Sequence, residues 1–397
     1  MPDIEIRRLE GDEKLEAMYS LNAYSLHASP PLTNKEEWEG IVRPRQGVTY
    51  MALFEDGAPA AGAASTAMIQ NVRGKLFDAH GIWGVATAPG ARRNGYCRQT
   101  MAALLAAARD QGQVFSSLYP FRESFYERLG YVTFPLPRVA KFAPPAVGPL
   151  LGRDLGGRVE HILIGERYDA YRDYLARMRL RTHGMGFFVH ADWSSASRNR
   201  FWLAQAMVGN QMVGLMLYDL RGEEETKFLF RALRFYYESA QGRYLLLQWI
   251  ARHVDQADRV ELWLAPDEQP ETWLADLGAK IETDIRAPMG RVLDVARLGG
   301  MATGPGCFTA RLSDPLCPWN EGVWRFESAN GELQTEHLAA DEQPDCHLTI
   351  QGLTALVFGA HDPGDFPISG WGDPSPAVQA VMQAMFPSDR PYLHERF

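Results

Sequence analysis

The chain has 397 residues and a net charge of −9, with 46% hydrophobic and 22% charged residues. This composition is typical of a globular protein and argues against a disordered chain, and the length suffices for two or three separate hydrophobic cores. Because the first residues are charged and no apolar run approaches the length of a membrane-spanning helix, the sequence predicts neither a signal peptide nor integral membrane association.

The first part of the chain, residues 1–146, is predicted to form an α/β unit in which one sheet is flanked by helices. Alternation of apolar and polar residues predicts strands at 4–8, 49–55, 60–69, 75–85, 114–118 and 131–139. Helical spacing of apolar residues predicts helices at 15–25, 97–110 and 122–129. The pair Pro144-Pro145 then marks a boundary.

The stretch from Val85 to Arg98 joins a buried strand to a helix through a basic, glycine-containing turn. Such a turn leaves the first backbone N–H groups of the helix without partners and directs them at one point, where the helix dipole also favours an anion. Arg92 and Arg93 add positive charge to this point. The stretch therefore predicts a pyrophosphate site and a phosphorylated cofactor. The helix should bury one apolar face, formed by Cys97, Met101, Leu104, Leu105 and Ala108.

A second α/β unit is predicted over residues 147–296, with an order of elements that repeats the first. The predicted elements are a helix at 168–181, a hairpin at 201–220, a strand at 227–236, a helix at 242–255, a strand at 259–264 and a helix at 271–277. The segment between its third strand and the following helix lacks paired arginines, so this unit should not hold the cofactor.

The last part of the chain, residues 297–397, is predicted to be a small α+β domain that follows a glycine-rich linker. Its predicted strands lie at 307–312, 322–328, 331–335 and 347–350, and its helices at 352–359 and 377–386. Residues 299–397 contain four Arg, no Lys and thirteen Asp or Glu. This acidity argues against nucleic acid or an anionic membrane as partner. It fits either a cationic small molecule or simply a solvated acidic surface.

Cysteine and histidine spacing predicts no metal site. The four cysteines form no C-x-x-C pair, which is typical of reduced thiols in a cytoplasmic protein. The histidines of the acidic domain likewise lack the spacing of metal ligands; they are His337, His347, His361 and His394.

Two motifs in the first unit resemble those of the Gcn5-related N-acetyltransferase (GNAT) superfamily. Arg92-x-x-Gly95-x-Cys97 is similar to its motif A, [RQ]-x-x-G-x-[GA], with Cys97 at a position that is usually glycine or alanine. The run from Phe125 to Tyr131 matches its second signature, F-Y-x-x-x-G-[FY]. The resemblance implies an N-acetyltransferase that uses acetyl-CoA and no metal.

The layout of the whole chain is similar to that of the enhanced intracellular survival (Eis) family. That family has tandem GNAT-like domains, the second degenerate, followed by a sterol-carrier-protein-like domain. The resemblance implies a catalytic domain at 1–146, a degenerate domain at 147–296 and a sterol-carrier-like domain at 297–397. It also implies a homohexamer and a terminal aromatic residue whose carboxylate enters the active site, and the sequence ends in Phe397.

The resemblance also implies roles for individual residues. The pyrophosphate would bind the backbone N–H groups of the turn and first helical residues, which are Arg93, Asn94, Gly95, Tyr96, Cys97 and Arg98. N–H groups of the preceding strand would hold the acetyl carbonyl, and this strand end comprises Val85, Ala86 and Thr87. Phe121 and Arg122 would line the pantetheine. Tyr126 would protonate the leaving thiolate, and the Phe397 carboxylate would be the general base, either directly or through a water.

The amine acceptor is the least specified part of the prediction. Carboxylates and aromatic rings bind ammonium groups, and the candidates near the acceptor side are Glu36, Glu37, Trp38 and Glu395. The resemblance implies aminoglycosides or protein lysines as acceptors, although Arg396 beside the proposed base disfavours a polycation. The alternative is a lipid- or partner-binding protein with a vestigial acetyltransferase fold. Retention of both motifs and of Tyr126 favours the enzyme.

Overall fold

The computed structural model describes residues 2–190, 198–223, 227–283 and 286–397. These residues form two compact units. The first unit comprises residues 2–134, 183–190 and 287–397, and the second comprises the remaining described residues between 135 and 286. Among the described residues, no helix is both long and apolar enough to cross a membrane.

Residues 2–134 contain the strands and helices of the first predicted domain. The strands are β1 (Ile4–Leu9), β2 (Val48–Glu55), β3 (Ala58–Val72), β4 (Lys75–Thr87), β5 (Phe115–Leu118) and β6 (Val132–Thr133). The helices are α1 (Glu13–Ser25), α2 (Lys35–Val42), α3 (Tyr96–Asp110) and α4 (Glu123–Glu127). The sequence did not predict α2, which begins after Asn34, whose side chain accepts a hydrogen bond from the Glu37 N–H.

Among its described residues, the middle of the chain supplies a seven-stranded sheet, one further strand and two helices. Its elements are β7 (Arg138–Phe142), β8 (Arg158–Leu163), α5 (Tyr168–Arg181), β9 (Gly186–Phe188), β10 (Trp202–Val208), β11 (Gln211–Arg221), β12 (Phe228–Tyr237), α6 (Ala240–Ala251), β13 (Ala257–Leu264) and β14 (Lys280–Thr283). The sheet of the second unit has the order β14-β7-β13-β12-β11-β10-β8.

The C-terminal part adds a four-stranded sheet with the order β18-β17-β16-β19. The first strand of this part, β15 (Met289–Val292), joins the sheet of the first unit. The remaining elements are β16 (Cys307–Ser313), β17 (Gly322–Ala329), β18 (Glu332–His337), β19 (Cys346–Thr349), α7 (Ile350–Phe358), α8 (Phe366–Ser369) and α9 (Pro376–Met385). Mixed α/β sheets and an α+β end agree with the predicted fold class.

Two predicted elements are wrong. The strand predicted at 131–139 is two strands, β6 and β7, which belong to different sheets. Pro135 and Pro137 lie between them and lack the N–H that a continuous ladder needs. The helix predicted at 271–277 is only a short 3-10 turn, Pro270–Thr272. A helix cannot continue there because Asp276, with φ of 61°, adopts a left-handed conformation.

The first unit is built on an eight-stranded sheet with the order β1-β2-β3-β4-β5-β15-β6, and β9 also pairs with β3. Strands β9 and β15 lie within residues 147–296, so the compact units do not coincide with the three predicted domains, 1–146, 147–296 and 297–397. The reason is strand pairing over long sequence distances, since β15 fills the place between β5 and β6. The functional division into three domains stays a prediction.

Two helices cover opposite faces of the centre of this sheet. The predicted apolar face of α3 is confirmed, because its large residues Met101, Leu104 and Leu105 are fully buried in one cluster with Ile82 and Leu118 of the sheet. On the other face, α7 packs in the cluster that contains Ala79 and Phe115. The eight-stranded sheet and the C-terminal part therefore share one core.

A buried polar row crosses the sheet on the α3 face. His80 in β4 and Arg291 in β15 both lie beside Ser116 in β5. Arg291 is fully buried and forms an ion pair of 2.5 Å with Asp314. His80 is fully buried too, and neither of its ring nitrogens has a hydrogen-bond partner among the described residues.

This burial makes stability depend on pH. Burial, and then the nearby Arg291, lower the pKa of His80 to about 3. His80 thus stays neutral in the folded protein, whereas the unfolded chain binds a proton below pH of about 6.5. The free energy of unfolding should therefore fall as the pH drops from about 6.5 towards 3, by about 1.4 kcal/mol per pH unit from His80.

We expect the free energy of unfolding of the His80→Leu variant to depend less on pH, because the variant takes up about one proton fewer on unfolding. Urea unfolding of the two proteins at several pH values between about 7 and 4 measures the difference. His347→Gln, at an exposed position, controls for loss of a surface histidine. Parallel curves for the wild type and His80→Leu would contradict the assignment of this pH dependence to His80.

Candidate active site

The candidate site lies where β4 and β5 separate. The two strands pair in parallel from Ala79 with Phe115 to Ile82 with Leu118. Beyond this point β4 continues to Thr87, while the chain after β5 leads into α4. The separation opens a gap at the centre of the sheet, and backbone groups of β4 in the gap lack a partner strand on this side.

A β-bulge in β4 coincides with the separation. Gly62 of β3 pairs with Ala86, and Ala64 pairs with Trp83, so two residues of β4, Gly84 and Val85, lie opposite one residue of β3. Gly84 has φ of 65°, a left-handed conformation that glycine adopts without strain. A bulge redirects the backbone groups next to it, and here they lie at the gap.

A cavity of about 720 Å³ occupies the gap. It contains most of the predicted cofactor residues, namely Val85, Ala86, Thr87, Arg93, Gly95, Tyr96, Cys97, Arg98 and Phe121. Asn94 and Arg122 are not among its lining residues. The other lining residues were not predicted to bind the cofactor; they are Ser25, Leu26, Ala91, Phe125, Arg128 and Leu129. Arg92, which the sequence analysis placed beside the anion site, lines the cavity too.

The turn before α3 has the geometry of an anion site. Arg93 and Gly95 have φ of 71° and 79°, so the chain enters the helix abruptly. The first hydrogen bond of the helix runs from the Gln99 N–H to the Gly95 carbonyl, which leaves the amides before Gln99 available to a ligand. Four arginines line the cavity, Arg92, Arg93, Arg98 and Arg128, and no carboxylate is among the described residues that line it.

Tyr126 in α4 is buried, with 4% of its surface exposed, and it does not line the cavity itself but lies behind the lining residues Phe121 and Phe125. Its ring packs edge-on against Phe121 and Phe125, at centroid distances of 5.8 and 5.1 Å. Burial raises the pKa of the phenol above its usual 10.0, and Cys97 and Tyr131 raise it further. The phenol is therefore protonated at neutral pH and is able to act as an acid.

Cys97 has a thiol group and lines the same cavity. Burial raises the pKa of its thiol to about 11, an effect partly offset by a hydrogen bond with Thr87. A thiol with so high a pKa is a poor nucleophile at neutral pH. A thiolate released in this cavity is correspondingly more basic than in water, which favours its protonation by a neighbouring phenol.

The ring of Phe397 packs against β4 on the face opposite α3. A Cβ atom added to Gly81 would lie 2.6 Å from Phe397 Cζ, so the ring fits only because residue 81 is glycine. The rings of Phe188 and Tyr119 flank it, with centroids 5.1 and 5.6 Å away. Phe397 therefore lies on the strand that carries the bulge, three residues before Gly84.

The predicted acceptor residues are not brought together at the cavity. Trp38 is buried in a core cluster with Leu9 and Leu15, and its ring packs on Tyr19 at 5.6 Å. Its position follows from helix periodicity, because it shares the buried face of α2 with Val42. Glu36 and Glu37 are exposed on the other side of this helix, and Glu395 is half-buried near the end of the chain; Glu36, Trp38 and Glu395 do not line the cavity.

Comparison with protein-family models identifies the fold at this site. Residues 5–134 match the model of the acetyltransferase (GNAT) domain. This part of the chain is a GNAT acetyltransferase domain. The GNAT domain makes the protein an acetyltransferase, and it confirms the superfamily predicted from the two motifs. Residues 294–394 match the sterol carrier protein domain, which confirms the predicted type of the C-terminal domain.

Solved structures share the fold over the whole chain, although no curated protein matches the sequence. A GCN5-related N-acetyltransferase from Anabaena variabilis has 16% identity and a TM-score of 0.81, covering 100% of both chains. One from Kribbella flavida has 19% identity and a TM-score of 0.80, covering 99% of this chain and 100% of its own. Eis1 from Mycobacterium abscessus has 16% identity and a TM-score of 0.75, covering 100% of both chains.

Proposed function

We propose that the protein transfers the acetyl group of acetyl-CoA directly to a primary amine, with Tyr126 as general acid and the Phe397 carboxylate as general base. The observation that carries this proposal is the arginine-lined cavity at the point where β4 and β5 separate. The acceptors we infer are aminoglycoside-like polyamines or lysine side chains.

The residues of the cavity fit acetyl-CoA. Four guanidinium groups without a lining carboxylate suit its phosphates, and the free amides before Gln99 suit the pyrophosphate. The apolar side chains of Phe121, Phe125 and Leu129 suit the pantetheine arm. We assign Asn94 and Arg122 to the same site as flanking residues.

The proposed chemistry needs one acid and one base. The amine lone pair forms a bond to the acetyl carbon, and N–H groups at Val85 and Thr87 stabilise the negative charge on the carbonyl oxygen. The carbon–sulfur bond then breaks, and Tyr126 gives its proton to the sulfur. The Phe397 carboxylate takes one proton from the ammonium form of the amine before the attack, directly or through a water. The nitrogen loses a second proton after the attack, and this proton replaces the one that Tyr126 has given to the sulfur.

We further propose that the chain belongs to the Eis family, is cytoplasmic and forms a homohexamer. The support is its layout, a GNAT domain at 5–134 and a sterol-carrier-like domain at 294–394, together with the full-length fold shared with Eis1. Light scattering in solution tests the hexamer. A monomer or dimer at all concentrations would contradict it.

We expect Arg98→Gln to weaken acetyl-CoA binding about tenfold. A hydrogen bond to a charged group contributes about 1.5–3 kcal/mol, and an exposed arginine should lie at the lower end of that range, since about 1.4 kcal/mol corresponds to a factor of ten. Calorimetric titration at low and high salt measures the change. Arg252→Gln, at an exposed position directly after α6, is the control and should leave the affinity unchanged.

The proposed function is tested by incubating the purified protein with acetyl-CoA and a panel of amines that contains polyamines, aminoglycosides and lysine peptides. Release of CoA thiol, together with an acetylated product seen by mass spectrometry, is the expected result. Acetyl-CoA binding without transfer to any amine would overturn the amine acceptor. Absence of acetyl-CoA binding would overturn the proposal as a whole and favour the vestigial, lipid- or partner-binding alternative.

A further inference from the structure

The last turn of α1 faces the bulge in β4. A Cβ atom added to Gly84 would lie 3.4 Å from Asn22 Nδ2 and 4.0 Å from Asn22 Oδ1. Ser25, one helical turn further on, lines the cavity together with Val85. The carboxamide of Asn22 therefore lies directly beside the backbone that the proposed mechanism uses to hold the acetyl carbonyl.

Asn22 carries an unsatisfied polar atom at this point. The residue is 3% exposed, and its Oδ1 has no hydrogen-bond partner among the described residues, nor has the Oγ of Ser25. Burial of a carbonyl oxygen without a donor is costly, and such groups in folded proteins are nearly always satisfied. A donor from outside the described residues would satisfy this oxygen. Asn22 itself does not line the cavity, but Ser25, on the next turn of the same helix, does.

We propose that Asn22 positions the acceptor, with its Oδ1 accepting a hydrogen bond from the N–H of the incoming primary amine. The inference rests on the proposed function and adds the group that orients the nucleophile. An amine held in this way keeps its lone pair free to attack the acetyl carbon bound beside Gly84 and Val85. Asn22 is thus a positioning residue that takes up no proton.

The hydrogen count gives the proposal a specific consequence. A neutral primary amine that attacks the acetyl carbon loses one of its two N–H protons and keeps the other in the amide product. The retained N–H is the one that Asn22 holds throughout. A neutral secondary amine has only one N–H, which it loses in the reaction, so that Asn22 Oδ1 loses its donor. The site should therefore prefer a primary amine over its N-methyl derivative by about tenfold or more, as a buried unpaired carbonyl implies.

The decisive variant is Asn22→Leu, which removes the carboxamide and keeps a side chain of similar size. We expect kcat/KM for the primary amine to fall about tenfold or more, and the preference over the N-methyl derivative to shrink towards unity. Acetyl-CoA affinity should not change, and the midpoint of thermal unfolding should stay or rise because a buried unsatisfied group is gone. Asn22→Ala serves if the leucine variant does not fold.

Gln113→Leu is the matched control. Gln113 is 6% exposed, and its Oε1 is likewise buried without a partner among the described residues, but it follows the C-terminal end of α3, at the end of that helix opposite to the basic turn. The change should leave kcat/KM and the primary-over-secondary ratio as in the wild type. A merely structural role for Asn22 would change the unfolding midpoint in both variants and the ratio in neither.

The outcomes separate this inference from the proposed function. If the wild type acetylates an amine and Asn22→Leu keeps both its kcat/KM and its preference, the role of Asn22 is overturned while the function stands. If the wild type acetylates none of the panel, calorimetric titration of the same amines into the protein saturated with CoA still tests whether Asn22 positions the amine. Equal amine affinities of wild type and Asn22→Leu, or no binding to the wild type, overturn the positioning role.

Discussion

Replacing Tyr126 by phenylalanine is expected to lower kcat for acetyl transfer by about 100-fold or more while leaving acetyl-CoA affinity unchanged. General acid catalysis by a positioned side chain contributes about 10²–10⁴ in rate. The ring contacts of Tyr126 with Phe121 and Phe125 do not need the hydroxyl, so the substitution keeps the packing and removes only the proton donor.

The pKa values at the cavity explain why this phenol is a suitable acid. Its own pKa is raised by burial, which by itself makes proton donation harder. Burial also raises the pKa of the Cys97 thiol to about 11, and the same burial would make a CoA thiolate a better proton acceptor. The two effects offset each other in the proton transfer from phenol to thiolate, which therefore stays feasible.

Steady-state kinetics of the wild type and of Tyr126→Phe, with calorimetric titration of acetyl-CoA, measure the effect. Tyr131→Phe is the matched control: its hydroxyl is also buried, but it is hydrogen-bonded to Ser116 at 2.6 Å and should affect stability more than kcat. Because the raised pKa keeps Tyr126 protonated, the wild-type rate should show no loss of this acid up to pH of about 10. An unchanged kcat in Tyr126→Phe would remove the phenol from the mechanism.

The prediction for the cofactor side of the site rests on signals that are local in the sequence. A strand, a basic turn and an amphipathic helix follow one another between Val85 and Asp110, so their chemistry depends little on the rest of the chain. The cavity contains nine of the eleven residues predicted for the cofactor. The buried face of α3 followed from helical spacing in the same way.

The acceptor side depends on contacts between distant segments, and the sequence predicted it poorly. Trp38 was interpreted as a pocket residue, but α2, which the sequence did not predict, turns it into the core. Strand β15 has only four residues and pairs with β5 far away in the chain, so no local pattern announces it. One local signal existed for Asn22: it lies four residues after Met18 on the buried face of α1, where a polar side chain is unusual.

Converting the carboxylate of Phe397 into a carboxamide is expected to lower kcat/KM for the amine about 100-fold at neutral pH. Semisynthesis introduces this change without altering the ring. A substitution of Phe397 would instead remove the ring that fits against Gly81. Removal of a general base costs a factor of about 10²–10⁴. The ring contacts with Phe188 and Tyr119 should hold the modified residue in the same position.

The pH dependence distinguishes loss of a base from loss of structure. Without the carboxylate, the protein can use only amine that is already deprotonated in solution, and the free fraction of an amine with a pKa of about 10.4 rises tenfold per pH unit below that value. The amidated protein should therefore recover towards the wild-type rate as the pH rises, while its acetyl-CoA affinity stays constant. A rate that is lowered equally at every pH would indicate a displaced ring, and an unchanged rate would remove Phe397 from the mechanism. Of these three outcomes, only recovery at high pH shows that the rate falls because a proton acceptor is missing.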